Sequence, residues 1–446
     1  MATLTRHYVL TLVVFLQVVG FATAQTNGEL RTYARSSLAT MMVYHSEDEF
    51  GKDIFVAFDS IPTPDKYDDH NLNLRVLLND SIKGVQRKKD GLIKAEYGKA
   101  LSSRDVQKNG LAIEEMLNKS DCGQRLVAKW FNLHEIAPED YVFNMSLIQD
   151  RGQYNANDMD VALAQQSARG LALLSDAGEE LLNSTFILVN DMTYVTAEEK
   201  AAAAKVGLGI VGGLMDALLG GNAGSQLAEI GGAIADSYTG FTVKTHSYLY
   251  QLQWNDSVAA IFYNNYYTSV SNPQKIQAFV EHGDLFKVKY VAHEYEFDAK
   301  SVLKGKYERT DLVKLICTRS MDKNIAALQL KYEDFKVKTP IYNIITNAKG
   351  SIVGYTAKIG LKEGITEKSK FQVVQRIQDP ATEKTSYKYV ATVQPQKGKI
   401  WDNRYMAAQE SEVGSELTAT QFKKTVGGEI LPGMLIIEGS YRKIKE

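Results

Sequence analysis

The chain has 446 residues, and 51 lysines and arginines against 53 aspartates and glutamates leave a net charge of −2. It lacks the basic excess that carries nucleic-acid binding, so no nucleic-acid partner is expected. Two cysteines are too few for a thiolate-built zinc or iron–sulfur centre, and no cofactor or metal is expected.

Arg6 and His7 precede an apolar run from Val9 to Val19, and Ala22-Thr23-Ala24 stands before Gln25. A cationic start, a short apolar stretch and small residues two apart form the pattern of a cleavable secretory signal peptide. The uncharged stretch from Tyr8 to Ala24 is shorter than a bilayer-spanning helix requires. Cleavage between Ala24 and Gln25 is therefore expected, with export to the periplasm, the outer membrane or the extracellular space. About 420 residues then remain, enough for two or three domains.

Ile54-Phe55-Val56-Ala57-Phe58, closed by Pro62 and Pro64, reads as a buried strand. The acidic group Asp65, Asp68, Asp69 and His70 lacks the twelve-residue frame of a calcium loop and reads as a solvated turn. Apolar spacing predicts helices over 105–133 and 158–182, and an apolar strand, Phe186 to Val189, follows the second. Helix into strand across so short a break implies α/β layering.

Thr196 and Glu199 have capping-box spacing ahead of an alanine run. From Val206 to Asp236, nine glycines are mixed with Leu, Ile, Val and Ala. Gly209 and Gly213, like Gly220 and Gly224, are four apart, which puts small residues on one helix face and lets another helix or a membrane segment approach closely. Each interior glycine costs a helix about 1 kcal/mol relative to alanine, so such a segment is firm only when packed. Residues 205–236 are thus expected to be a helical insertion contacting a second copy of the chain (a homo-oligomer), an envelope protein or a membrane surface. A loop inside the domain is the plainer reading of the same residues. Gly207-Leu208-Gly209-Ile210-Val211-Gly212 has the letters of a dinucleotide fingerprint, but alanine-rich helix precedes it where a strand is required.

Strand signals resume at Phe241 and run to Trp254, and Val258 to Tyr263 reads as a second strand across an Asn255-Asp256 hairpin turn. Tyr248, Tyr250 and Trp254 would be exposed in a sugar-stacking platform and buried in ordinary sheet packing. His293-Glu294 opens like a zinc-protease motif, but Phe297 stands where the second histidine belongs. No serine-hydrolase elbow is present. Residues 311–335 read as one amphipathic helix, and strand-like runs at 353–360, 371–377, 386–394 and 434–438 alternate with Gly and Pro turns. The expected fold class is α+β: a mixed α/β domain over 25–345 with a glycine-rich helical insertion, then a small antiparallel β-barrel or sandwich over 346–446. Cys122 and Cys317 are 195 positions apart, a spacing compatible with a disulfide in an oxidising compartment and equally with two buried thiols.

Four blocks resemble a family of exported proteins of Bacteroidota: Leu126 to Asn132, Arg169 to Leu181, Ala357 to Gly364 and Ile400 to Tyr405. The resemblance implies an envelope or secreted location and supplies no activity. Gly360-Leu361-Lys362-Glu363-Gly364 before Phe371-Gln372-Val373-Val374, and Pro432-Gly433-Met434 before a last strand, also resemble the small β-domains of envelope assembly factors such as the flagellar T protein. With no complete catalytic set, a non-enzymatic envelope or secreted protein that assembles through its glycine-rich segment is expected. A periplasmic or extracellular hydrolase of polysaccharide or peptide is one alternative, and a glycan- or ligand-binding module is another.

Overall fold

The computed structural model describes residues 35–48, 51–62, 67–69, 72, 74–82, 91–94, 100–133, 141–148, 180–195, 238–303, 309–335, 338–378, 385–405, 407 and 417–438. Two β-sheets organise them. The first is mixed, with strand order β2-β1-β4-β5-β6 and β3 also along β1. Its strands are β1 (Arg35–Tyr44), β2 (Tyr67–Asp69), β3 (Val76–Leu78), β4 (Thr185–Val195), β5 (Tyr238–Leu252) and β6 (Val288–Leu303). β1 runs parallel to β2, β3 and β4, whereas β4, β5 and β6 are successively antiparallel.

Alternate residues of the central strands feed two separate cores, as the two-residue period of a strand buried on both faces requires. On one face lie Met41, Val43, Ile187, Val189, Tyr248 and Tyr250. They are covered by α2 (Ser103–Lys119), α3 (Cys122–Trp130), α5 (Asp256–Ile261) with the π-helical turn Phe262–Tyr266, and α6 (Pro273–Glu281). On the other face Leu38, Met42, Phe186, Leu188 and Leu249 pack against α1 (Gly51–Asp59) and α7 (Arg309–Lys331). The short α4 (Glu180–Asn183) leads into β4, and Trp130 Nε1 reaches Thr185 Oγ1 at 2.8 Å to close the first core at that point. Together these elements form three layers, helix on sheet on helix.

Side chains of α2 protect the outer edge of β6: Asn118 exchanges hydrogen bonds with the Val288 backbone at 2.9 and 3.0 Å, and Glu114 accepts from Tyr290 N at 2.7 Å. On the opposite face, Asn324 of α7 donates to Thr245 O at 3.0 Å and to Ser247 Oγ at 2.8 Å, and Ser247 donates to Asn190 Oδ1 at 2.7 Å. Nearly every turn of α7 is buried, because the sheet takes one side and the second domain another. Arg319 donates to Tyr405 O at 2.8 Å, and Asp322 faces Lys362 at 3.7 Å.

Two expected strands are helices. Residues 54–58 belong to α1, where Ile54, Ala57 and Phe58 point inward at helical spacing and Val56 is 48% exposed. A five-residue apolar run does not by itself distinguish the two periods. Residues 258–263 lie in α5 and the π turn, not in a hairpin strand. Asn255 is the helix cap, accepting from Ser257 N and Val258 N, and the pairs Val258/Phe262 and Phe262/Tyr266 follow four-residue spacing. Phe262 packs at the centre of an aromatic cluster, with ring centroids 4.5 Å from Phe131, 5.3 Å from Phe143 and 5.6 Å from Trp254. The expected helix over 105–133 is two helices, broken at Asp121, whose φ of 52° is left-handed.

The second sheet is a curled antiparallel array of β7 (Lys338–Pro340), β8 (Asn343–Thr346), β9 (Ile352–Ala357), β10 (Phe371–Gln378), β11 (Thr385–Pro395), β12 (Thr420–Gly427) and β13 (Leu435–Glu438). Its order is β7-β13-β10-β11-β12-β9-β8. The two terminal strands are consecutive in the chain: Ile341 N donates to Met434 O on one side, and Tyr342 N to Thr356 O on the other. Residues 338–346 thus pair with both ends of the sheet and close it into a small barrel filled by Tyr355, Phe371, Val373, Val393, Phe422 and Ile436. The α+β class with a barrel-like second domain is as expected.

Candidate functional site

Where β1 ends, a row of polar side chains crosses the first sheet. Val43, Asp191, His246 and Tyr295 are neighbours in register on β1, β4, β5 and β6. His45, just beyond β1, brings Nε2 to 2.6 Å from Asp191 Oδ1, and both groups are buried. Burial by itself pushes the imidazole pKa down. The hydrogen bond and the negative charge of Asp191 outweigh it and raise the pKa above the ordinary value. His45 Nδ1 lies 3.6 Å from Glu47 Oε1 and has no hydrogen-bond partner among the described residues.

Lys94 closes this end from outside, with Nζ 3.1 Å from Glu47 Oε1 and 2.7 Å from Asp48 Oδ1. Against a desolvation cost that raises it, the Glu47 carboxyl is drawn down to about 2 by its own backbone N–H and by Lys94. Lys94 is held in turn through Asn109 of α2, which exchanges hydrogen bonds with the Ile93 backbone at 3.0 Å and donates to Tyr248 Oη at 3.2 Å. Gly51 allows the 45–48 turn to fold back on α1, since a Cβ there would collide with the His45 carbonyl oxygen.

The other half of the row is a neutral histidine pair. His246 Nδ1 and His293 Nε2 are 2.9 Å apart, so one ring donates and the other accepts. Burial, the neighbouring His246 and Lys331 press the His293 pKa down to about 3, and burial also lowers that of His246. The Tyr295 ring lies tilted by 32° against His246 at 4.5 Å and Tyr248 lies 4.8 Å from His293. His246 Nε2 is buried without a partner among the described residues. The site lies at the carboxyl ends of parallel strands β1 and β4, the end of an open α/β sheet at which ligands bind.

An imidazole oriented by a carboxylate can hold or accept a proton. Among the described residues, no set of three or more His, Cys, Asp or Glu side chains could hold a metal ion, and no helix is long and apolar enough to cross a membrane. Tyr248, Tyr250 and Trp254 are buried, as in sheet packing. His293 and Glu294 lie in strand β6, without the helical frame of a zinc-protease motif. Cys122 and Cys317 sit in the cores on opposite faces of the sheet and are not joined by a disulfide; burial pushes the Cys122 thiol up to about 12. Ala22, Ala24 and Gln25 of the cleavage site, Gly209, Gly213, Gly220 and Gly224, the helix expected from Thr196 and all but the last three residues of the helix expected over 158–182 lie outside the described residues.

His45, Asp191 and His246 escaped sequence reasoning. Their one local signal is a charge inside the apolar run Phe186-Ile187-Leu188-Val189-Asn190-Asp191. No protein-family model matches the chain, and a search of curated proteins finds no relative.

Proposed function

We propose that the protein is a non-enzymatic component of the cell envelope or a secreted assembly protein, which associates with itself, a partner or a membrane through residues 205–236. One topological observation supports this most directly: β4 and β5 are hydrogen-bonded neighbours, with Val195 opposite Thr242, yet residues 196–237 intervene between them. Adjacent antiparallel strands need only about two to five connecting residues, and connections far longer than this are usually either functional or linker segments. The two ends of the excursion meet in the sheet, so the sheet's pairing does not depend on it. Glycine at four-residue spacing calls for a packing partner to make such a segment firm. Light scattering and vesicle co-sedimentation of residues 25–446, with and without 205–236, test the reading. Loss of assembly and of vesicle binding in a folded deletion variant is the expected result; unchanged behaviour sinks it.

The buried His45–Asp191 pair favours a second reading, a hydrolase of polysaccharide or peptide in which His45 activates water. Hydrolysis of a glycan and peptide panel by the wild type, lost in His45→Gln, would replace the first reading with this one.

A further inference from the structure

We propose that the β-domain docks on an anionic lipid surface through the outer rim formed around Gln394, a second contact independent of residues 205–236. Although the whole chain is slightly acidic, residues 338 to 438 contain fourteen lysines and arginines against ten carboxylates. Three of them are engaged within the domain: Glu363 is buried against Gly360 N and Asn403 Nδ2, Asp402 is bound by Arg404, and Glu367 accepts from Gly398 N.

Short backbone links gather the surplus at one place. Gln394, opposite Lys423 in register, donates to Glu367 O at 2.7 Å, which brings Lys368 alongside. The Glu367 carboxylate accepts from Gly398 N at 2.9 Å, between Lys397 and Lys399. Lys399 O in turn accepts from Gln421 N at 3.0 Å, two residues before Lys423. All four lysines are exposed. Gln396 then donates to Val353 O at 3.1 Å, and Ile352 and Val353 are each 47% exposed beside this rim.

Lysines beside exposed aliphatic residues match a membrane interface, where the cations meet lipid phosphates and the aliphatic groups enter the boundary of the acyl chains. A nucleic-acid backbone would use the charges and leave Ile352 and Val353 unrewarded, which favours the lipid surface as the occupant. The inference rests on the reading of the protein as an exported envelope component.

The test is co-sedimentation of residues 25–446 with vesicles of phosphatidylcholine alone and of phosphatidylcholine containing phosphatidylglycerol, at low and high salt. Binding only to the anionic vesicles, weakened by salt, is expected. Three lysines removed near an anionic surface correspond to a loss of roughly a hundredfold in partitioning, so Lys397→Gln/Lys399→Gln/Lys423→Gln is expected to stay in the supernatant. Val353→Ser, which keeps every charge, is expected to bind more weakly than wild type. Circular dichroism checks that both variants are folded. Equal pelleting of the triple variant and wild type, no preference for phosphatidylglycerol, or DNA binding by the same lysines without vesicle binding each overturns the proposal. If deletion of 205–236 leaves both assembly and anionic-vesicle binding intact, the glycine-rich reading fails and the basic rim stands. If that deletion abolishes vesicle binding while the triple variant binds normally, the reverse holds.

Discussion

Asn324 of α7 and Ser247 of β5 are joined by a 2.8 Å hydrogen bond inside the second core, and the same Asn324 amide also reaches Thr245 O. Replacing Asn324 by Ala leaves a buried hydroxyl and a buried carbonyl short of a partner, a loss of about 1–3 kcal/mol. Urea unfolding of Asn324→Ala should show it; a loss below about 0.5 kcal/mol, the range of inert surface changes, would mean that water replaces the amide.

The helical assignment of residues 54–58 has a sharp mutational test. In a strand, Ile54, Val56 and Phe58 would share a face; in α1 Val56 points away from the other two. Val56→Lys is therefore expected within about 0.5 kcal/mol of wild type, and Phe58→Ala to cost about 3–5 kcal/mol. Equal and severe losses at both positions would contradict the helix.

Stability should fall with acid, and the histidine pair should account for part of the slope. The lowered pKa values of His246 and His293 mean that the unfolded chain takes up protons below its own pKa of about 6.5 while the folded pair stays neutral. Their contribution is present above that pH and is lost as pH drops, for His293 down to about 3, at up to about 1.4 kcal/mol per unit for each group. His45 has the opposite sign, because its raised pKa stabilises the fold at low pH and ceases to do so as pH rises through the folded value. Unfolding free energies across this range should show a shallower acid slope in His293→Gln and a steeper one in Asp191→Asn. An unchanged slope in His293→Gln would remove the pair from the account.

Arg319 links α7 to the second domain by donating Nε and Nη2 to Tyr405 O. In Arg319→Met that carbonyl loses a charged donor, a cost of about 1.5–3 kcal/mol. Limited proteolysis should then cut near residues 401–405 faster than in wild type, while circular dichroism stays the same. Identical cleavage rates would show that the remaining contacts of α7 suffice.

Much of the fold is legible in the sequence. The helix expected over 311–335, the strands expected at 186–189 and from Phe241 to Trp254, and four strands of the β-domain correspond to α7, β4, β5, β9, β10, β11 and β13. The apolar runs 54–58 and 258–263 misled, since they satisfy a strand's composition while Ile54, Ala57 and Phe58 in the first, and Val258, Phe262 and Tyr266 around the second, share a helical face. The strands β7, β8 and β12 were missed because the first two are only three and four residues long, and β12 carries Lys423 and Lys424 where a core-facing apolar pattern would be sought. The polar row stayed hidden for a different reason: His45 and Asp191 are 146 positions apart and meet only through the parallel pairing of β1 with β4.

The strand that belongs to both ends of the second sheet bears on where the chain can be cut. A fragment begun at residue 338 carries its own fastening. One begun at residue 346 lacks all but the last residue of it and leaves β9 and β13 as raw edges, each with a row of unspent N–H and C=O groups. The nearest thing able to fill such a gap is the same edge on another copy, so the shorter fragment should clump on expression where the longer one remains dispersed.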